Sequence, residues 1–204
     1  MNSDILWKAA AAAAAFHIIG SIPFSYIVAR LSGKLDIREH GSGNVGATNV
    51  GRTVGLGYGV LAFILDAAKG IVSGALALAW GVPIWLGAFS PIGHNWSIFL
   101  KLTGGKGVAT TLGLLLIVSW PALIITAGIW ILVVALTQYV SLGSIIALLA
   151  APVAIYFFPS AIKPEEIWVT ILIFAGLGIL SVWKHRPNIQ RLLAGQESKI
   201  FKKR

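Results

Sequence analysis

The chain has no cysteine. That excludes disulfides, cysteine-ligated zinc and a cysteine nucleophile. Charge is also scarce. Only 11% of the 204 residues are Asp, Glu, Lys or Arg, against roughly 25% in soluble domains. With 57% hydrophobic residues and a mean hydropathy of +0.84, a soluble globular domain is excluded. The composition is that of an integral membrane protein, read as one domain over residues 1–204. Negative charge is the scarcest, with 7 Asp and Glu against 16 Lys and Arg. The net charge of +9 suits nucleic acid, an anionic lipid surface or an anionic substrate. Nucleic acid is set aside, because most of the surface must face lipid. Long repeats and low-complexity linkers are absent.

Long apolar runs are present. A membrane-spanning helix needs about 20 apolar residues. Ile5–Ala29 is too long for a signal-peptide core, of roughly 7–15 residues, and reads as a retained helix. Val54–Trp80 and Ile84–Leu100 follow. Val108–Gln138 is too long for one untilted span and is broken by Pro121, so it reads as two short helices. Leu142–Phe158 and Ile167–Trp183 complete the set. The expectation is an all-α membrane protein with about seven transmembrane helices, five being the runner-up count. Placing the loop after the first span inside puts thirteen of the sixteen Lys and Arg on that side. Lys8 and Lys163 fall on the other side, and Lys69 lies within a span. Positive residues favour the cytoplasm, so the N-terminus is expected outside and the C-terminus inside.

Three polar segments then share the cytoplasmic face. The first is "EHGSGNVGATNVGR", Glu39–Arg52. Gly41-Ser42-Gly43-Asn44-Val45-Gly46 has the G-x-G-x-x-G form, but a dinucleotide site needs a preceding strand, and a membrane span precedes this one. Gly41 and Gly43 still allow backbone N–H groups to approach an anion. Ser42 adds a hydroxyl, Asn44 and Asn49 add amides, and Arg52 adds a planar fork suited to phosphate. The second is "LTGGKGVATT", where Gly104, Gly105 and Gly107 surround Lys106 at a helix start. It is not a Walker A motif, yet free N–H groups and a mobile cation favour an anion there. The third is "WKHRPNIQRLLAGQE". Pro187 disfavours helix at Arg186, so His185 and Asn188 are expected to flank a turn. Histidine serves readily as acid, base or switchable donor. The competing reading of this segment is a basic juxtamembrane anchor, which Arg191 and the Lys199–Arg204 tail fit well.

Two features lie inside spans. Asp66 and Lys69 are three apart on one helix face, where a charge is costly unless paired. The pair is either structural, the favoured reading, or a prop beneath the site. His94 and Asn95 open a "GHNW" stretch expected near the second glycine turn.

The stretches "GSGNVGATNVGR", "GHNWSIFLKLTGGKGVAT" and "HRPNIQRLLAGQE" resemble, in order and spacing, the three signature segments of the membrane acyl-phosphate:glycerol-3-phosphate acyltransferases, the PlsY family. The resemblance spans nearly the whole chain. It implies a bacterial inner-membrane enzyme that makes lysophosphatidic acid at the start of phospholipid synthesis. It implies functional roles for Ser42, Arg52, Lys106, His185 and Asn188, with the glycines shaping binding. The implied partners are glycerol 3-phosphate, acyl phosphate and membrane lipid, with no cofactor, no metal and no obligate protein partner. Thr103 stands where many relatives are expected to carry a basic residue.

The residues fit that implication. The His-x4-Asp pair of many acyltransferases is missing: the residues five beyond His17, His40, His94 and His185 are Ile22, Val45, Phe99 and Gln190. An acyl phosphate is already activated, and a phosphate oxygen, with a pKa of about 6, can take the hydroxyl proton. Direct transfer is therefore favoured, with Ser42, His185 and Asn188 as the catalytic residues. A serine acyl-enzyme is the rival mechanism. An anion or phosphate transporter is the rival function, but it predicts polar groups on interrupted helices at the midplane. A lipid-binding scaffold would not need Ser42 or His185.

Overall fold

The computed structural model describes residues 3–200. The chain is helical and divides into two compact units, Met1–Val118 and Ser119–Arg204.

In the first unit, α1 (Ser3–Ser21) and α2 (Phe24–Gly33) meet at Ile22-Pro23. A proline cannot donate an N–H and clashes with the preceding turn, so the first apolar run breaks there. After a 3-10 turn at Ile37–Glu39 come α3 (Ala47–Thr53) and the long α4 (Leu56–Ala79). The buried face of α4 carries Gly59, Ala62, Asp66, Lys69, Gly70, Ser73, Gly74 and Ala77, at helical spacing. The small residues let neighbouring helices approach closely. Ile84–Leu100 is not one helix. It folds as a 3-10 turn (Ile84–Ala88), α5 (Phe89–Asn95) and a second 3-10 turn (Ile98–Leu100). The unit ends with α6 (Val108–Val118).

Contacts fix the running directions. Thr110 donates its hydroxyl to the Asp66 carbonyl at 2.9 Å, Gly70 abuts Thr110 and Leu114, and Gly74 abuts Ile117. Numbers rise together, so α4 and α6 are parallel. By the same test α1 and α5 are parallel: Ala12 and Phe16 cluster with Val82 and Leu86, Gly20 abuts Ser90, and Gly93 abuts Ser21. The α1–α2 run is antiparallel to α4, since Phe16 of α1 stacks on Trp80 while Ser25 of α2 bonds Asp66. The chain therefore makes four passes in alternating directions within this unit.

The second unit contains α7 (Trp120–Thr137), α8 (Val140–Phe157), α9 (Ile167–Lys184) and α10 (Arg186–Leu193). The break expected at Pro121 is present. Ser119 caps α7 by accepting from the Ala122 N–H at 3.2 Å, with Pro121 in the first turn, where a missing N–H costs nothing. α7 and α8 are antiparallel, as are α8 and α9, with Gly143 against Trp130 and Val134 and Gly178 against Leu148.

Among the described residues, five helical stretches are long and apolar enough to cross a membrane: Ile5–Gly33, Leu56–Ala79, Trp120–Thr137, Val140–Phe157 and Pro164–Lys184. The other two expected spans are not long helices. α6 has 11 residues, about 16 Å at the usual rise. Ile84–Leu100 changes from 3-10 turn to helix at Phe89 and is interrupted at Trp96-Ser97. A second correction concerns Pro187. It does not prevent helix at Arg186; it lies in the first turn of α10, and His185 is the joint between α9 and α10.

Candidate active site

The first glycine loop is built around Asn49, which is 2% exposed. Its Nδ2 donates to the carbonyls of Ile37 (3.2 Å), His40 (2.9 Å) and Asn44 (3.1 Å). Its Oδ1 accepts from the Ser42 N–H at 3.0 Å. The Asn49 amide thus holds the loop closed. Gly41 and Gly43 have φ of +62° and +69°, a region that disfavours side chains. A Cβ on Gly41 would also strike Asn49 Oδ1. The loop leaves Ser42 exposed and Asn44 and Arg52 half-buried, Arg52 in the last turn of α3.

The second glycine loop meets the first. Thr103 and Ser97 pair as an isolated antiparallel bridge, which closes the turn before Gly104. The Gly105 N–H donates to the His94 carbonyl at 3.1 Å. Gly105 is so close to the Val45 carbonyl and to His94 Nε2 that a Cβ would collide with both. Lys106 is half-buried at the end of this loop, just before α6. A recess of about 450 Å3 opens where the loops meet, lined by Arg38, Glu39, Gly43, Val45, Thr103 and Gly104.

Arg38 was not singled out in the sequence. Its guanidinium grips Asp36 with two forked bonds, Nε to Oδ1 at 2.9 Å and Nη2 to Oδ2 at 2.6 Å. That bond holds the Asp36 carboxyl down to about 2 against its ordinary 3.8. The sequence signal was the D-x-R spacing, which allows such a fork. Thr103, in place of a basic residue, donates its hydroxyl to the Leu100 carbonyl.

His185 and Asn188 lie in the second unit, buried at 3% and 6% exposure. His185 Nδ1 is 2.8 Å from the Ser181 carbonyl. A carbonyl only accepts, so Nδ1 carries the proton and Nε2 of the neutral ring is an acceptor. Asn188 Nδ2 donates to Glu197 Oε1 at 2.6 Å. Glu197 also accepts from Ser141 Oγ at 2.8 Å and Arg191 Nε at 2.8 Å. Burial opposes its charge, but the bonds from Asn188, Arg191 and Ser141 outweigh it and hold the carboxyl below its ordinary range. Glu197 carries no assigned role in the sequence reading. The signal was there: it is the only acid among seven Lys and Arg from Lys184 to Arg204.

Known proteins match this chain over nearly its whole length. The sequence model of the glycerol-3-phosphate acyltransferases matches residues 10–195. A glycerol-3-phosphate acyltransferase of Desulforudis audaxviator is 46% identical, covering 90% of this chain and 91% of that protein. One from Thermosipho melanesiensis is 44% identical over 90% and 88%. This chain belongs to the glycerol-3-phosphate acyltransferase family. Among solved structures, that of PlsY, an integral membrane glycerol 3-phosphate acyltransferase in its glycerol 3-phosphate form, superposes with a TM-score of 0.81 at 36% identity, over 97% of this chain and 96% of that one. Its lysophosphatidic acid form gives 0.78 at 35% identity, over 97% and 95%. Membership in the acyltransferase family disfavours the transporter and scaffold readings.

Proposed function

We propose that the chain transfers a fatty acyl group from acyl phosphate to glycerol 3-phosphate, giving 1-acyl-glycerol 3-phosphate and phosphate, in bacterial phospholipid synthesis. The carrying observation is likeness, over nearly the whole chain, to an acyltransferase solved in glycerol 3-phosphate and lysophosphatidic acid forms. Two glycine loops meeting over a recess supply the matching chemistry. Both substrates carry phosphate, and one carries an acyl tail that lipid-facing helices accommodate.

The bonding supports the following roles. Backbone N–H groups of the loops, with Arg52 and Lys106, hold phosphates. Asn49 and the glycines keep the loops in shape. His185 orients the glycerol hydroxyl. The developing oxyanion is stabilised by the Ser42 hydroxyl and the Asn188 amide. The glycerol oxygen attacks the acyl carbon, the bond from that carbon to the phosphate oxygen breaks, and the hydroxyl proton leaves on the released phosphate. The whole chain acts as one multi-pass domain in the inner membrane, with seven passes and its chemistry on the cytoplasmic face. The Lys and Arg bias supports that orientation.

The test is lysophosphatidic acid formation by purified protein from glycerol 3-phosphate and matched palmitoyl donors. Palmitoyl phosphate is expected to work and palmitoyl-CoA to fail. A thiolate leaving group lacks the fixed charge and the proton-accepting oxygens. Comparable rates from both donors would overturn substrate-assisted transfer, and an acyl group trapped on Ser42 would replace it with a covalent route. Ser42→Ala, His185→Ala and Asn188→Ala should each lower kcat by about 10²–10³. Arg52→Ala and Lys106→Ala should chiefly raise KM, by about 10- to 150-fold for a lost charged hydrogen bond.

A further inference from the structure

A buried chain of polar groups lies beneath the second glycine loop. Asp66 and Lys69 are 1% and 2% exposed, and Nζ is 2.8 Å from Oδ1. Ser25 donates its hydroxyl to Asp66 Oδ2 at 2.6 Å. Lys69 also donates to the Ile22 carbonyl at 2.9 Å, where Pro23 breaks the first helix run. The third contact of Lys69 Nζ is His94 Nδ1, at 2.8 Å. The other ring nitrogen of His94, Nε2, faces Gly105 so closely that no Cβ fits between them.

With Lys69 charged, Nζ donates to Nδ1, so the neutral ring carries its proton on Nε2. Lys69 thereby fixes the ring's orientation and keeps a donor edge turned toward the loop. The His94 carbonyl meanwhile holds the Gly105 N–H. A buried ammonium must place all three of its N–H groups. The third goes to a ring whose far edge is the floor of Gly104-Gly105.

We propose that Lys69 and His94 are positioning residues: Asp66–Lys69–His94 is a buried prop that holds Gly104–Gly107 in the shape that binds a substrate phosphate. This rests on the reading of that loop as a phosphate site. The role is to present backbone N–H groups and Lys106, not to touch the reacting atoms, so its loss weakens binding more than turnover.

The test uses the full-length protein in detergent, with KM for glycerol 3-phosphate and for acyl phosphate measured separately. Asp66→Asn combined with Lys69→Met removes both charges together, which avoids a lone buried charge. The double variant is expected to raise KM for at least one substrate by about 10-fold or more, as misplaced positioning groups do. Its kcat should stay within about 3-fold of the parent, since the reacting groups of the proposed mechanism are elsewhere. Should it not fold, His94→Asn keeps the Asp66–Lys69 pair and empties the floor beneath Gly105, and the same rise is expected. KM values for both substrates within about twofold of the parent, in whichever of the two is folded, overturn the proposal, because a merely structural pair changes melting temperature and not KM. Lys106→Ala separates the two levels. If it raises KM while the prop variants do not, only the prop falls. If it too leaves both KM values unchanged, the phosphate-site reading falls, and the prop with it.

Discussion

Glu197 shows how one side chain organises a corner. Its carboxylate gathers Ser141, Asn188 and Arg191, and Asn188 is thereby locked. Glu197→Ala removes the acceptor shared by three buried or half-buried donors, costing roughly 1–3 kcal/mol per buried group left unsatisfied. The expected result is a lower melting temperature and a lower kcat together. The pH dependence follows from the sign of the shift. The folded value lies below the ordinary 4.5, so the stabilisation is complete above that value. It drains as pH falls through the lower folded value, because protonation then favours the unfolded chain. Melting of the parent, followed in detergent from neutral buffer into acid, should fall across that window, and Glu197→Gln should remove this component of the fall. An identical acid slope in both proteins would remove Glu197 from the account. Asn49 teaches the complementary lesson. The sequence marks it as a donor in a polar loop, but its partners at Ile37 and His40 are set by how the chain closes, which spacing does not reveal.

At the scale of elements, the glycine turns and the apolar runs were legible, and so was the break before α7. What hydropathy could not supply was continuity. An apolar run scores alike whether it is one helix or, as in Ile84–Leu100, a short helix between two 3-10 turns. Pro187 was misread because proline excludes helix interiors but suits the first turn. The glycines themselves divide by environment, and that gives a paired prediction. Gly105→Ala drives a Cβ into a backbone carbonyl and a ring held by Lys69, so neither neighbour can yield. It should abolish or strongly weaken acyl transfer. Gly128, within α7, has nothing within 4 Å of an added Cβ. Gly128→Ala should leave activity intact and stabilise by about 0.5–1 kcal/mol. Melting and activity measured side by side check both, and equal effects at the two sites would show that close approach at Gly105 is not what the glycine provides.

For the molecule as a whole, the open quantity is how often the chain crosses the membrane. Length favours five crossings and direction favours seven. α4 and α6 are parallel, so the chain between them must return to the starting end, whatever its secondary structure. Ile84–Leu100 makes that return, and α6 then repeats the direction of α4. A segment of about 16 Å is short against a hydrocarbon core of about 30 Å, but local thinning and flanking apolar turns accommodate the mismatch at modest cost. Labelling settles the count, and the absence of cysteine removes any background. Single cysteines at the exposed positions Ser42, Lys101 and Arg186 should react with an impermeant reagent only from the cytoplasmic side. Cysteines at Gly81 and Lys163 should react only from outside. The decisive pair is Gly81 and Lys101. They bracket the broken segment, so seven crossings put them on opposite sides and five put them on the same one. Ser42 and Lys101 reacting from opposite sides would contradict the meeting of the two glycine loops.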